Sequence, residues 1–344
     1  MMQWLKKVVK NNWLFLFLVV SLQLKSMFLL SMLRTPESAS VSLTKMYFGV
    51  PAIWAHIAMI TLLVSIIYLF KAKGRITAAI IIDLLVTILF IADIWYYRAN
   101  GTFLSIRHLL YPEIFNPLGK KLFNFKAIDL WFFVDFIVLF SAFYFIVIKN
   151  LLKVTQTITG RIVRFIAIFG ISILVVGLSH YYIDVTRTID KLNLFSISWA
   201  PFQTFSDISP LGYHAYDLMY YSDKNIELTE KDINEIQTWY DNNKEDLQDN
   251  KYKGMVQGKN VIAIQVESLE NIIINQSVYG QEIMPTLNKL LSESVYFNNI
   301  YEQNGSGTSS DADLMMNTSI FPIHSERTSI SYPWTSYNLS LIHI

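Results

Sequence analysis

Apolar residues form long uninterrupted blocks over the first half of the chain and short, turn-bounded segments over the second. Five blocks are of the length, roughly 20 residues, that a helix needs to cross about 30 Å of hydrocarbon. They cover residues 13–33, 47–70, 76–96, 130–148 and 162–182. None carries the polar face that a helix of a soluble core turns to water. The pattern predicts a five-helix transmembrane α domain over residues 1–183. The first block lacks a small-residue cleavage signature and reads as an uncleaved anchor. Between the third and fourth blocks, "GTFLSIRHLLYPEIF" has the apolar spacing of a short helix lying at the membrane interface; an ordinary structured loop fits equally.

Composition agrees: 53% of the 344 residues are hydrophobic, and the net charge of +1 gives no case for a nucleic-acid partner. The chain has no cysteine, so disulfides and thiolate metal sites are excluded. Lysine and arginine set an orientation. Lys6, Lys7, Lys10, Lys71, Lys73, Arg75, Lys149, Lys153, Arg161 and Arg164 fall on one side of five alternating spans. Arg34, Lys45, Arg98, Arg107, Lys120, Lys121 and Lys126 fall on the other, in longer loops. The bias puts the N-terminus in the cytoplasm and the residues after about 183 outside.

Lys25, Asp83, Asp93 and Asp135 lie inside the blocks. Charges there are costly and pair toward the bundle interior. At 1.5 Å per residue, Lys25 lies roughly 18 Å from the inner edge, Asp135 roughly 22 Å, Asp93 roughly 25 Å and Asp83 roughly 10 Å. Depth therefore favours Asp135 or Asp93 as the partner of Lys25.

Past residue 183 the pattern changes. Residues 184–258 read as an outer helical connector. Thr229 is placed to cap a helix whose apolar face is Ile233, Ile236, Trp239 and Tyr240, suited to packing on the next segment. Residues 261–266, "VIAIQV", form an apolar, β-branched run of strand length, ended by Glu267. A helix pattern opens at Pro285, and "VYFNNIY" reads as a second strand. Strand, helix and strand make a βαβ unit, so residues 259–344 read as the start of an α/β domain. "NGSGTSSDADLMMN", residues 304–317, then joins a strand end to a helix start. Its hydroxyls, Thr308, Ser309 and Ser310, stand where free N–H groups favour an anion. One of them could attack phosphorus if a metal lowered its pKa. A serine there can equally be a helix cap, and Glu267 can be a solvated side chain.

Five apolar blocks, an outward α/β segment, "NVIAIQVESLEN" and "GTSSDADLMMNTS" together resemble the lipoteichoic acid synthase family. The resemblance covers the whole chain in architecture, with its specific motifs confined to residues 260–320. It implies a bacterial cell-membrane enzyme with a sulfatase-like domain of alkaline-phosphatase type. The implied metal is manganese, with magnesium as the alternative, held in part by Glu267. The family's nucleophile is the Thr of a Gly-x-Thr-Ser-Asp pattern. Aligning on Ser-Asp-Ala places Ser309 there, as nucleophile and metal ligand, and Thr308 takes the role if the turn shifts by one. The implied partners are membrane lipids, phosphatidylglycerol as donor and a glycolipid-anchored glycerophosphate chain as acceptor.

The chain departs from that pattern in two ways. Ser replaces Thr, and the family's downstream Asp-His pair and substrate-binding His have no counterpart; after position 214 only His324 and His343 remain. The expectation is a C-terminally truncated chain, inactive alone, whose tail "LSLIHI" includes non-native residues. Two other readings stand: a sulfatase-like transferase of phosphoglycerol or phosphoethanolamine to another acceptor, and a non-catalytic polytopic transporter or scaffold.

Overall fold

In the computed structural model the described residues are 2–106, 108, 115, 119, 121–148, 157–188, 194–195, 201–222, 228–244, 248–305, 307–323 and 328–331. The chain divides into two compact units, Met1–Asn225 and Ile226–Ile344.

The first unit is helical. Helix α1 spans Met2–Leu33 and is interrupted at Asn12, where φ is −122° and ψ is 15°. Helix α2, Ile53–Val64, continues into a 3-10 turn, Ser65–Leu69. Helix α3, Ala72–Asn100, ends at Gly101, whose φ of 70° lets its N–H reach the Tyr97 carbonyl. A 3-10 segment, Ala127–Phe133, leads into α4, Phe136–Phe143, and a π turn, Tyr144–Ile148. Helix α5, Ile158–His180, starts at Thr157, whose hydroxyl accepts from the Gly160 N–H, and runs into the π turn Tyr181–Val185. Helices α6, Pro201–Asp207, and α7, Pro210–Ser222, complete the unit.

Among the described residues four helical stretches are long and apolar enough to cross a membrane: Asn11–Leu33, Lys73–Asn100, Ala127–Ile148 and Ile158–Val185. The remaining predicted block forms the shorter apolar helix Ile53–Leu69. Its start is cut back at Pro51, whose ring blocks helix upstream. Lipid-facing apolar side chains stay exposed, among them Leu85, Ile88, Ile166, Leu174 and Leu178. The interfacial helix expected around "RHLLYPEIF" falls largely outside the described residues.

Side chains at three- and four-residue spacing bury one stripe of each long helix. On α1 the stripe is Leu18, Leu22, Lys25 and Leu29; on α3 it is Ile76, Ala79, Asp83, Val86, Phe90 and Ile94. Lys25 and Asp83 thus sit in the middle of two facing apolar stripes. Lys25 Nζ donates to Asp83 at 2.9 and 3.0 Å and to Thr87 Oγ1 at 2.7 Å. It also lies 2.9 Å from Asp135 Oδ1. The Ser21 hydroxyl donates to the other Asp135 oxygen. The partner Asp135 is the one depth predicted. Asp83 is a correction, because α3 begins at Ala72 rather than 76. Counting from Ala72 lifts Asp83 to about 16 Å, level with Lys25. Asp93 is a second correction: it is hydrogen-bonded to His214 of α7 at 2.7 Å.

A second buried pair was not read from the sequence. Arg98, near the end of α3, holds Asp129 with both terminal nitrogens at 2.8 and 2.7 Å, and Trp95 donates to the same carboxylate at 2.9 Å. This fork fastens the α3 end to the start of the 127–148 segment.

In the second unit, α8 spans Glu230–Asn242 behind a reciprocal cap. The Thr229 hydroxyl accepts from the Asp232 N–H, and hydrogen bonds from the Thr229 hydroxyl and N–H hold the Asp232 carboxyl below its ordinary pKa. Ile233, Ile236, Trp239 and Tyr240 are exposed, so the expected packing of that face is not seen. The only strands among the described residues are β1, Ser277–Val278, and β2, Gln281–Glu282, a two-residue hairpin turned at Tyr279 and Gly280, both with positive φ. The predicted strands at 261–266 and 295–301 are not formed. A strand exists through its neighbours, and none lies beside these runs; Ile262 and Ile264 are 85% and 81% exposed. The predicted βαβ unit is therefore absent, although its helix, α9, Pro285–Ser292, is present with Pro in its first turn. Helices α10, Ser309–Thr318, and α11, Thr328–Ser331, follow.

Candidate active site at the start of helix α10

Helix α10 opens where the sequence placed it, on the Gly-rich stretch. The residue before it, Thr308, has φ of 48° and ψ of −118° and makes no side-chain cap. The loop is closed instead by Asp311. Its Oδ2 accepts from the Gly305 N–H at 3.0 Å and the Gly307 N–H at 2.9 Å. Asp311 is fully buried, and a carboxylate in the first helical turn is also favoured by the helix dipole. A Cβ at Gly307 would collide with that carboxylate. Gly307→Ala is accordingly expected to push Asp311 out of the loop, at a cost of about 1–3 kcal/mol. Amide hydrogen exchange over 305–312 should speed up; unchanged exchange would remove Asp311 from this role.

The three hydroxyls have three different fates. Ser310 Oγ donates to the Gly307 carbonyl at 2.7 Å. Thr308 is exposed. Ser309 Oγ donates to Glu267 Oε2 at 2.6 Å, across 42 positions of sequence. Gln265, two residues before Glu267, donates to the Ser309 carbonyl at 3.3 Å. Residues 265–267 therefore lie along the first turn of α10 with no sheet between them. The sequence singled out both ends of the Ser309–Glu267 contact. It did not single out Gln265 or Asp311, although both lie inside the quoted motifs.

The contact has chemical content. A hydroxyl and a carboxylate at hydrogen-bond distance supply two oxygen donors to one point, the kind that manganese or magnesium prefers. Among the described residues no group of three or more His, Cys, Asp or Glu gathers there or elsewhere. Glu267 and Ser309 fit such an ion in kind and would supply two of its ligands. The same carboxylate can orient the serine and take up its proton, and the N-terminus of α10 presents positive dipole to a phosphoryl group.

Comparisons with known proteins bear out the family resemblance. The family model described as the lipoteichoic acid synthase N-terminal domain matches residues 1–229. Lipoteichoic acid synthase 2 of Bacillus subtilis (strain 168) is 29% identical over 266 residues, which is 74% of this chain and 38% of the relative. Lipoteichoic acid synthase 1 of the same strain is 28% identical over 267 residues, 73% of this chain and 39% of the relative. Lipoteichoic acid synthase of Staphylococcus aureus (strain USA300) is 25% identical over 275 residues, 77% of this chain and 40% of the relative. The chain thus spans about two fifths of the length of the curated relatives it matches. No solved structure matches it. With a family model covering residues 1–229 of 344, this chain belongs to the lipoteichoic acid synthase family.

Proposed function

We propose that the protein is a membrane-anchored glycerophosphate transferase, and that Ser309 is its nucleophile. The observation that carries this reading is the 2.6 Å contact between Ser309 and Glu267 at a helix N-terminus. Ser309 Oγ attacks the phosphorus of phosphatidylglycerol as its proton passes to Glu267. The bond to the diacylglycerol oxygen breaks, and diacylglycerol leaves with a proton. The glycerophosphoryl ester on Ser309 is then attacked by the terminal hydroxyl of a glycolipid-anchored glycerophosphate chain, which frees the serine. A manganese ion, when bound by Glu267, Ser309 and further ligands, lowers the hydroxyl pKa and neutralises phosphoryl charge.

The surrounding assignments are part of the same proposal. Five spans fill residues 1–183, with the shorter helix Ile53–Leu69 as the second. The N-terminus is cytoplasmic, residues 184–258 connect, and residues 259–344 begin an extracellular sulfatase-like domain. Family membership and the lysine and arginine bias support this placement. Facing the outer leaflet suits a lipid donor.

The test is diacylglycerol release from phosphatidylglycerol with and without manganese. The complete reading frame should turn over only with the metal. The 344-residue chain alone should not turn over, because among the described residues no group of three metal-ligating side chains gathers at Glu267 and Ser309. Turnover by this chain alone, or metal-independent turnover, would contradict the mechanism.

A further inference from the structure

The end of the helical unit that carries the N-terminus gathers cations that the Ser309 site does not use. Tyr68, in the last turn of the α2 segment, is buried, and its hydroxyl donates to Asn12 Oδ1 at 2.7 Å. The Arg75 guanidinium lies 5.1 Å from the centre of the Tyr68 ring. Arg161 Nη1 donates to the Leu69 carbonyl at 3.0 Å, closing the end of the α2 segment. Arg161 and Arg164 both lie close enough to Arg75 to repel it. Three guanidiniums from α3 and α5 therefore meet at one level of the bundle.

Two of the three lack a counter-charge. Among the described residues no carboxylate pairs with Arg161 or Arg164. Arg161 is only 8% exposed, and its Nε has no hydrogen-bond partner. Arg164 Nη1 is likewise buried without an acceptor. The C-terminal dipole of the α2 segment offers only about half a negative charge. A buried N–H with no acceptor is costly, the more so on a charged group. The positive-inside bias accounts for basic residues that stay in water, as the exposed Lys71 and Lys73 do. It does not account for guanidiniums drawn together and buried with spare donors. A planar fork of donors matches phosphate oxygens. At the ends of apolar spans, the phosphate within reach is that of a lipid headgroup.

We propose that Arg75, Arg161 and Arg164 bind the phosphate of an anionic phospholipid headgroup at the membrane surface on the N-terminal side. The purified chain, in neutral detergent, would be titrated with phosphatidylglycerol, phosphatidylcholine or inorganic phosphate. Retained lipid would be counted by native mass spectrometry, and thermal unfolding followed in parallel. Phosphatidylglycerol should be retained and raise the unfolding temperature, while phosphatidylcholine should do neither. Arg164→Gln should weaken phosphatidylglycerol binding roughly tenfold to a hundredfold, the scale of a lost charged hydrogen bond. It should leave lipid-free unfolding unchanged, because Arg164 has no ion pair to lose. Arg161→Lys keeps the charge without the fork and should weaken binding by less. Lys73→Gln, which removes an exposed cation on the same side, should leave binding unaltered, which separates the arginine cluster from general surface charge. Equal retention of both lipids would overturn the proposal. So would Arg164→Gln lowering lipid-free stability with binding intact. Stabilisation by millimolar inorganic phosphate equal to that by phosphatidylglycerol would overturn the assignment to a lipid.

Discussion

Ser309→Ala, made in the complete reading frame, is expected to lower polyglycerolphosphate synthesis by roughly a thousandfold or more, the scale of losing a nucleophile. The unfolding temperature should stay nearly constant. The lost hydroxyl makes one hydrogen bond, to an exposed carboxylate, and Asp311 rather than Ser309 holds the loop. Thr308→Ala should remain active, because the backbone at Thr308 leaves its side chain out of the cap. If Thr308→Ala lost activity and Ser309→Ala kept it, the nucleophile would be Thr308. If both single variants and the double variant stayed active, this stretch would be a loop-to-helix junction and nothing more. Polymer made by membranes of each variant, measured beside thermal unfolding, decides among these outcomes.

Lys25→Met should be the most destabilising single change in the helical unit, by about 3–5 kcal/mol, because it strands the Asp83 and Asp135 carboxylates in the bundle interior. The ammonium also lies 4.7 Å from the centre of the Phe136 ring, so packing is lost with the charge. Asp83→Asn alone should cost less, since Asp135 keeps the lysine paired. Lys25→Met with Asp83→Asn should therefore cost less than the sum of the two single changes. Unfolding in detergent micelles reads all three. A Lys25→Met protein as stable as the parent would mean that the carboxylates are relieved some other way.

The apolar blocks were legible because helices satisfy their backbone hydrogen bonds within one segment. What lies between segments was less so. Depth counting found Asp135 for Lys25 but placed Asp83 too low, since the helix starts at Ala72, where Lys and Gly mask its first turn. His214 could not be found for Asp93 by counting, because it comes from α7, outside the spans. The 47–70 block was read long because residues 47–52 are apolar enough, while Pro51 decides their conformation. Sheets are the extreme case. The run at 261–266 has strand composition, but composition does not supply the neighbouring strand. The opening of α10 read correctly because a Gly-rich turn running into a helix pattern is a local signal, while the Asp311 contact that closes the turn went unread. The Ser309–Glu267 contact spans 42 positions, and only the two motifs pointed to it.

In the proposed mechanism Ser309 carries the glycerophosphoryl group. The most direct measurement is mass spectrometry of the peptide containing residues 304–317, taken from the complete protein after incubation with phosphatidylglycerol and manganese, without acceptor. A glycerophosphoryl ester on Ser309 is expected, absent without the metal and discharged when acceptor is added. An ester on another residue, or polymer synthesis with Ser309 never modified, would contradict it.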